Sequence, residues 1–351
     1  MKSTFADKYL PDTDIKTIYS SLQDDESRQI FLCRYEYLIE RNNEKLSKSL
    51  SGFTSELFKL EKNCESIIIF GAGALSYLYT IPLFTSIGVK IKAICDSNKA
   101  GQSILDYNII SLEEALKIKG NSKIVISTFT EAVCKKMCSI LHSYEVSNDS
   151  IVEPEYFILE DQYFSLCFIK PQHNEVFIDA GCMDAGTSLL FREFTKDYGY
   201  KRIYAFEPSP QCYLQCKKII NENEMINVTL INKGLWDSAD TLSFSDSIIL
   251  GGSTISNDGD LTIETVALDD VVDKDDKVTF IKMDVEGAEL NALFGAKEII
   301  KRDKPRLAIC IYHKPEDIIN IPSYILSLNS EYKLYIRHYS PIETETVLYA
   351  I

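Results

Sequence analysis

Alternation of short apolar strands with helices is the feature that most constrains the fold of this chain. It occurs in two blocks, first from Ser66 to Ser127 and again from Glu175 to Tyr312. In both, helices separate consecutive strands along much of the block, an order that favours parallel pairing with right-handed crossover connections. The pattern therefore predicts an α/β protein with two doubly wound, Rossmann-like domains.

Chain length and helical periodicity divide the 351 residues into three predicted segments. A chain of this length exceeds one typical hydrophobic core, so more than one domain is expected. Apolar residues recur at helical spacing near the N-terminus, and an irregular stretch around Pro154 separates the two alternating blocks. We predict a helical preface at 1–62, a Rossmann-like domain of the nucleotide-binding type at 63–152 and a second α/β domain at 153–351.

Charge and cysteine usage restrict the partners and the compartment. The formal net charge of −15 argues against nucleic acids and anionic membranes, which are bound through clustered lysine and arginine. No apolar run is long enough to span a bilayer, and the N-terminal residues lack the profile of a signal peptide. The ten cysteines form no CxxC pair, so we expect buried free thiols and a cytoplasmic protein.

The segment FIDAGCMDAGTS predicts a strand that runs into a turn of small residues and then a helix. Asp179, Ala180 and Gly181 end this strand, and the small side chains let the backbone approach a ligand. The next strand, in IYAFEPSP, ends at Glu207 and continues with Pro208. An acid at this position can accept hydrogen bonds from both hydroxyls of a ribose, although a surface carboxylate at a strand end is the structural alternative.

An aspartate at the head of the turn favours a cationic ligand. The turn reads D-A-G-C-M-D-A-G and departs from G-x-G-x-x-G, and Asp179 would repel a pyrophosphate resting on the helix N-terminus. S-adenosylmethionine carries an ammonium and a sulfonium group and no phosphate, and the ribose of its adenosine suits Glu207. The turn therefore predicts S-adenosylmethionine as the cofactor.

The segment FIKMDVEGAEL predicts a second group of charged residues at the same cleft. A buried strand delivers Lys282, Asp284 and Glu286 to its carboxyl end, and Glu289 lies in the first turn of the following helix. In open parallel sheets the ligand crevice lies outside the carboxyl ends of the strands. We therefore expect these groups to face the same cleft as Asp179.

Four segments, FIDAGCMDAGTS, IYAFEPSP, NKGLWDSADTLSF and FIKMDVEGAE, resemble in this order the FkbM family of S-adenosylmethionine-dependent methyltransferases. The resemblance extends over about half the chain, from Glu175 to Ile351. It implies a class I methyltransferase fold and transfer of a methyl group to a hydroxyl of a sugar or polyketide-like acceptor. The cofactor-binding residues predicted in this way are Asp179, Ala180, Gly181, Glu207, Pro208, Gly234, Leu235, Trp236 and Asp284.

By position, the resemblance implies that Asp179 and Gly181 hold the methionine end of the cofactor and that Glu207 holds the ribose. The segment from Gly234 to Trp236 would border the adenine. The sequence departs from the family at Ala185, where a glycine is usual. One added methyl group at this position is expected to leave cofactor binding intact.

Three residues are predicted to carry the catalytic chemistry. His313 follows the buried strand RLAICIYH, and a neutral imidazole at a strand end can take the proton that an acceptor hydroxyl loses on methylation. A hydrogen-bonded structural histidine is the alternative, and Asp284 or Glu286 could serve as the base in its place. Asp184, Asp284 and Glu286 could also offer oxygen atoms to magnesium, but their spacing does not show that they converge, and we predict no metal.

An earlier turn, IIIFGAGALS, has Gly71 and Gly73 of a dinucleotide fingerprint and an acid, Asp96, at the end of the next strand. It predicts either a degenerate nucleotide fold, used for acceptor docking or for a homodimer, or a site for a nucleotide or nucleotide-sugar.

The function that the sequence favours is an O-methyltransferase that acts on a hydroxyl of a sugar or glycan-type acceptor in glycan biosynthesis. One alternative is an NAD-dependent nucleotide-sugar oxidoreductase or epimerase that uses the earlier turn. The other is a non-catalytic scaffold for glycan assembly.

Overall fold

The computed structural model of the protein describes residues 15–50, 53, 64–73, 75–128, 131–154, 162–164, 166–245, 254–255, 261–340 and 343–351. They form two compact units, which we call the larger and the smaller unit. The larger unit lies within 1–39, 163–337 and 345–351, and the smaller unit within 40–162 and 338–344. The domain boundaries predicted from the sequence differ from this division and stay a prediction.

The helices and strands are numbered in chain order. The α-helices are α1 Ile15–Ser21, α2 Asp25–Glu40, α3 Asn43–Leu50, α4 Ile81–Ser86, α5 Leu112–Ile118, α6 Glu131–Ser143, α7 Gly186–Phe194, α8 Pro210–Glu222, α9 Leu268–Val271, α10 Glu289–Phe294, α11 Lys297–Asp303 and α12 Asp317–Leu328. The strands are β1 Ser66–Phe70, β2 Lys90–Cys95, β3 Ser103–Ile104, β4 Tyr107–Ile110, β5 Lys123–Ile126, β6 Ile151–Val152, β7 Glu175–Ala180, β8 Tyr200–Phe206, β9 Val228–Ile231, β10 Gly234–Leu235, β11 Thr241–Ser245, β12 Thr254–Ile255, β13 Leu261–Val266, β14 Phe280–Met283, β15 Arg306–Cys310, β16 Leu334–His338 and β17 Thr346–Ala350.

The smaller unit contains a six-stranded sheet in the order β3-β4-β2-β1-β5-β6. Its pairs are parallel except for the hairpin of β3 and β4. The sequence predicts β1, β2 and β5 but not the hairpin. The helix predicted after β1 begins as a π-helix, Ser76–Thr80, before it continues as α4. Both hydroxyls at the ends of this π-helix bond to Ser127 Oγ, at 2.8 Å and 2.7 Å.

The larger unit contains a seven-stranded sheet in the order β16-β17-β15-β14-β7-β8-β9. The five strands from β15 to β9 run parallel, and β17 pairs antiparallel with β15. Counted along the chain, the parallel strands have the order 3-2-1-4-5 of a doubly wound sheet, which reverses direction at β7. Ligands of such sheets bind where the order reverses, outside the carboxyl ends of β7, β8 and β14. The predicted α/β class is confirmed.

Burial of the central strands explains why their sequences are almost continuously apolar. Every residue of β7, β14, β15 and β17 is buried. Helices cover both faces of a parallel sheet, so that its strands have no solvent-facing side. Charged residues inside these strands, such as Asp179 and Lys282, therefore need partners within the protein.

The helix predicted from Ala288 to Arg302 is divided into α10 and α11. A Cβ atom at Gly295 would lie 2.0 Å from the backbone oxygen of Trp236, so the chain passes too closely here for any side chain. The two carboxylate oxygens of Asp269 accept the backbone N–H groups of Glu298 and Ile299, both at 2.9 Å. Asp269 thereby caps the new helix start.

Helices α1 and α2 pack within the larger unit. The carboxylate of Asp24 accepts a 2.6 Å hydrogen bond from Arg337, and Ser27 Oγ accepts the backbone N–H of Ile336 at 2.9 Å. Asp24 also accepts the N–H of Ser27 at 2.9 Å, which caps the start of α2. Across the described part of the chain, no helix combines the length and the apolar character needed to cross a membrane.

Candidate functional site

The turn after β7 is supported by a buried ion pair. Asp179 has no exposed surface, and its Oδ1 lies 3.3 Å from Nζ of Lys282 on β14. Ser188 Oγ donates to Oδ2 of Asp179 at 2.7 Å, and Lys282 donates to the backbone oxygens of Ala180 and Gly181 at 3.1 Å and 2.6 Å. The negative charge at the head of the turn is therefore balanced inside the protein.

Gly181 is required by the approach of two strand ends. Its backbone has φ +72°, and a Cβ atom there would lie 1.8 Å from the backbone oxygen of Asp284. Ala185 also adopts the left-handed conformation, with φ +63°, at the start of α7. This conformation costs a residue with a side chain about 1–2 kcal/mol, which explains the glycine usual at this position.

Glu207 closes the turn from the neighbouring strand. Its carboxylate accepts the backbone N–H groups of Met183 and Ser209, both at 2.9 Å, and only 6% of the residue is exposed. Burial raises the pKa of Glu207 to about 7, although the two backbone donors and the charge of Lys282 oppose the rise. A carboxylate anchored in this way has free lone pairs for the hydroxyls of a bound ribose.

The segment predicted to border the adenine lies beside this loop. A Cβ atom at Gly234 would be 3.7 Å from Cβ of Pro208, so the two loops are in contact. Leu235 is buried, and half-buried Trp236 donates its backbone N–H to the oxygen of Val266 at 3.0 Å. Gly234 and Pro208 are therefore brought together with Glu207, whereas Leu235 is part of the core.

A second cluster lies at the carboxyl ends of β14 and β15. Nε2 of His313 is 3.2 Å from Oε2 of Glu286 and 3.6 Å from Oδ1 of Asp284, and its Nδ1 is 2.9 Å from Oε1 of Glu289. Glu286 has φ +55°, and Gly287 after it has φ +89°. This sharp turn directs the Glu286 carboxylate back towards the imidazole. The structure thus unites all three predicted catalytic residues and adds Glu289.

The charge of His313 depends on these carboxylates. Burial lowers the pKa of His313, but Glu289, Glu286 and Asp284 outweigh that effect and hold it well above its usual range. These carboxylates therefore favour the protonated form of the imidazole. This differs from the neutral imidazole expected from the sequence, because the sequence does not show that three carboxylates surround the ring.

Two tyrosines that the sequence does not single out orient Asp284. Tyr163 donates to its Oδ2 and Tyr312 to its Oδ1, each at 3.2 Å. Nζ of Lys282 lies 5.6 Å from the ring centre of Tyr163, close enough for a cation–π contact that links the two clusters. The position of Tyr312 directly before His313 is the one sequence feature that could have placed it at the site. Tyr163 comes from a distant segment, and no local pattern indicates its role.

The glycine turn of the smaller unit is filled by its own side chains. Asp96 Oδ2 accepts the backbone N–H of Ala72 at 2.9 Å, and Asp96 Oδ1 accepts the backbone N–H of Asn98 at 2.8 Å. Lys99 donates to the oxygen of Ala72 at 2.8 Å. A Cβ atom at Gly71 would lie 2.4 Å from the oxygen of Ser127, so packing alone requires this glycine. These contacts give the predicted ribose-binding acid a role within the loop.

Two groups of described residues have the spacing of metal ligands, and neither contains Asp184. Asp184 is exposed, and its Oδ1 accepts the backbone N–H of Gly186 at 2.8 Å. Among the described residues, Asp284, Glu289 and His313 have ligand atoms within 4.8 Å of one another. A second such group in the smaller unit consists of Cys134, Cys138 and Glu153.

Comparison with known proteins identifies a domain in the larger unit. Residues 179–336 match the family described as the methyltransferase FkbM domain. The crystal structure of the methyltransferase FkbM from Methylobacillus flagellatus KT covers 92% of this chain with 98% of its own length, at 17% identity and a TM-score of 0.51, which supports the fold.

Two further structures cover about half of the chain. SMU.1697c, a putative methyltransferase from Streptococcus mutans in complex with SAH, is 14% identical, covers 56% of this chain with 97% of its own and has a TM-score of 0.34. M. jannaschii TYW2 in complex with AdoMet is 18% identical, covers 56% with 75% of its own chain and has a TM-score of 0.33. No curated protein matches the chain in sequence. Residues 179–336 of the chain therefore form an FkbM methyltransferase domain.

Proposed function

We propose that the larger unit binds S-adenosylmethionine at the carboxyl ends of β7 and β8 and transfers its methyl group to a hydroxyl of a sugar or glycan-type acceptor. The observation that carries this proposal is the position of Glu207. Its nearly buried carboxylate follows β8, next to the strand at which the order reverses, and accepts the backbone N–H groups of Met183, in the turn after β7, and of Ser209. This arrangement suits the paired hydroxyls of a ribose.

In this proposal Asp179 supports cofactor binding indirectly, through the residues that it contacts. Because its carboxylate is fully buried, it fixes Lys282 and Ser188 beneath the turn. Lys282 in turn holds the backbone oxygens of Ala180 and Gly181 in the position that the methionine end of the cofactor meets. Gly234 and Trp236, together with Pro208, border the adenine, and Leu235 between them packs into the core.

Asp284, Glu286 and His313 form the acceptor side of the proposed reaction. The acceptor oxygen attacks the methyl carbon in line with the sulfonium, the O–C bond forms as the S–C bond breaks, and S-adenosylhomocysteine leaves. The hydroxyl proton passes to the cluster, which has three carboxylates for one imidazole. Holding donor and acceptor in line is worth about 7–11 kcal/mol, so positioning supplies much of the rate.

A hydroxyl-rich acceptor is supported by the polarity of this cluster. Asp284 and Glu286 keep 23% and 31% of their side chains exposed, so both can accept hydrogen bonds from an incoming molecule. All ten cysteines are free thiols, which supports the proposed location in the reducing cytoplasm. For the smaller unit we propose acceptor docking or homodimer formation.

Methyl transfer can be tested directly with the full chain. We expect release of S-adenosylhomocysteine and a mass increase of one CH2 unit when a panel of sugars and nucleotide-sugars is incubated with S-adenosylmethionine. Alkaline treatment that spares an ether but cleaves an ester distinguishes a methylated hydroxyl from a methylated carboxylate. Methylation confined to amines or carboxylates would contradict the proposed acceptor, and absence of cofactor binding would contradict the proposed function itself.

A further inference from the structure

The cluster at the ends of β14 and β15 has the composition of a cation site. We propose that Asp284, Glu286 and Nε2 of His313 bind one divalent cation, Mg²⁺ or Mn²⁺, and that Glu289 holds the imidazole in position. Carboxylate oxygens are the side-chain ligands that both ions prefer. The cation site does not depend on the proposed function. The role of the ion in acidifying the acceptor hydroxyl does rest on it.

The distances from the imidazole to the carboxylates are compatible with coordination of one ion. A six-coordinate ion with bonds of about 2.1 Å holds neighbouring ligand atoms about 3.0 Å apart. Nε2 of His313 lies 3.2 Å from the Glu286 oxygen and 3.6 Å from the Asp284 oxygen. The two distances exceed the octahedral spacing by about 0.2 Å and 0.6 Å.

Buried polar atoms without hydrogen bonds point independently to a ligand. The side chain of His313 is 10% exposed, yet neither of its ring nitrogens makes a well-directed hydrogen bond. Glu289 is fully buried, and its Oε2 has no partner. Unsatisfied buried groups of this kind are costly and rare in native proteins. A cation on Nε2 would satisfy one of them and fix the proton on Nδ1.

Glu289 is placed to orient the histidine. Its Oε1 lies 2.9 Å from Nδ1 of His313 and accepts the backbone N–H of Val285 at 2.9 Å. Histidines that bind metals generally give their other ring nitrogen to a carboxylate or carbonyl, which sets the tautomer and strengthens the ligand. The pair of Glu289 and His313 has the separation that this arrangement requires, and Nε2 faces the other two carboxylates.

Charge balance also favours a cation. The nearby Lys314 directs its Nζ at the backbone oxygen of Gly287. Lys282 is paired with Asp179, and a single imidazole, that of His313, faces the three carboxylates of the cluster. A divalent ion would offset this excess of negative charge and, bound to the acceptor oxygen, would acidify its hydroxyl.

Electron paramagnetic resonance of Mn²⁺ tests the site without cofactor or acceptor. Titration of the chelator-treated full chain with Mn²⁺ should show one saturable site, and Mg²⁺ should displace the ion. We expect Asp284→Asn and Glu286→Gln each to weaken binding at least tenfold. Glu289→Gln should weaken it about 10- to 100-fold, the range for residues that orient a ligand. Asp184→Asn, a change at an exposed acid outside the cluster, should leave binding unaltered.

Two results would overturn the cation site: no saturable Mn²⁺ binding by the native chain, or binding that survives Asp284→Asn and Glu286→Gln unchanged. Fluorescence of the single tryptophan, which lies in the larger unit, shows whether each variant is folded. Calorimetry with S-adenosylmethionine separates the two proposals. Cofactor binding without Mn²⁺ binding refutes only the cation site, and the reverse refutes only the proposed function.

Discussion

Replacement of Lys282 by methionine tests whether the buried ion pair holds the cofactor turn together. Methionine keeps the length and apolar character of the lysine side chain but removes its charge. Asp179 would keep only Ser188 as a hydrogen-bond donor, and the backbone oxygens of Ala180 and Gly181 would lose theirs. The variant therefore leaves a carboxylate buried and uncompensated.

The structure gives the size of the effect. Two unit charges 3.3 Å apart attract by about 5 kcal/mol at an effective dielectric constant of about 20. Removal of one partner from a buried pair costs about 3–5 kcal/mol in measured cases, because the other charge stays desolvated. We expect the free energy of unfolding of Lys282→Met to fall by about 3–5 kcal/mol, a large part of the stability of a typical domain.

Urea unfolding followed by the fluorescence of Trp236 measures this change in the larger unit. The double variant Asp179→Asn/Lys282→Met removes both charges and should be more stable than Lys282→Met alone. Lys233→Met serves as the matched control, because Lys233 pairs with Glu264 at the surface, where ion pairs contribute little. A loss in Lys282→Met no larger than that in Lys233→Met would refute the reasoning.

Three further predictions concern the turn, its acid and the N-terminal helices. Gly181→Ala should destabilise far more than Gly199→Ala, because both have positive φ but only the first Cβ meets a backbone oxygen; equal losses of unfolding free energy in urea would contradict this. Burial raises the pKa of Glu207 to about 7, so the charged carboxylate is disfavoured in the folded state. The contribution of Glu207 to stability is therefore greatest below about pH 4.5 and is lost as the pH rises through 7. Cofactor affinity should rise over the same interval if the carboxylate accepts from the ribose, and calorimetry at several pH values should show no such rise in Glu207→Gln. Asp24→Ala removes a helix cap and the partner of Arg337, and we expect it to lower the free energy of unfolding in urea by about 1–2 kcal/mol at pH 7. Burial raises the pKa of Asp24, but hydrogen bonds from Arg337 and Ser27 outweigh it and lower the pKa to about 2. The loss should therefore vanish as the pH falls towards 2.

Much of the larger unit follows from the sequence because its physical causes are local. Continuous apolar runs predict the parallel strands, and the strand-helix alternation fixes which ends of the strands meet. Asp179, Glu207, Asp284 and His313 each follow or end such a run. Their placement at one edge of the sheet is therefore predictable without knowledge of any side-chain contact.

The pairing within the site was not predictable because it depends on register and on distant segments. Lys282 meets Asp179 because these residues are opposite each other when β14 pairs with β7. A shift of the register by one residue would turn Lys282 to the other face of the sheet. Tyr163 reaches Asp284 across 121 residues of sequence, a contact that no local pattern contains.

Calorimetric titration with S-adenosylmethionine tests the central claim most directly. The native chain should bind the cofactor at one site, Glu207→Ala should weaken binding at least tenfold, and Glu193→Ala, a change at an exposed acid on α7, should leave it unchanged. Absence of heat with the native chain, or equal affinity in Glu207→Ala, would contradict the assignment of the cofactor site.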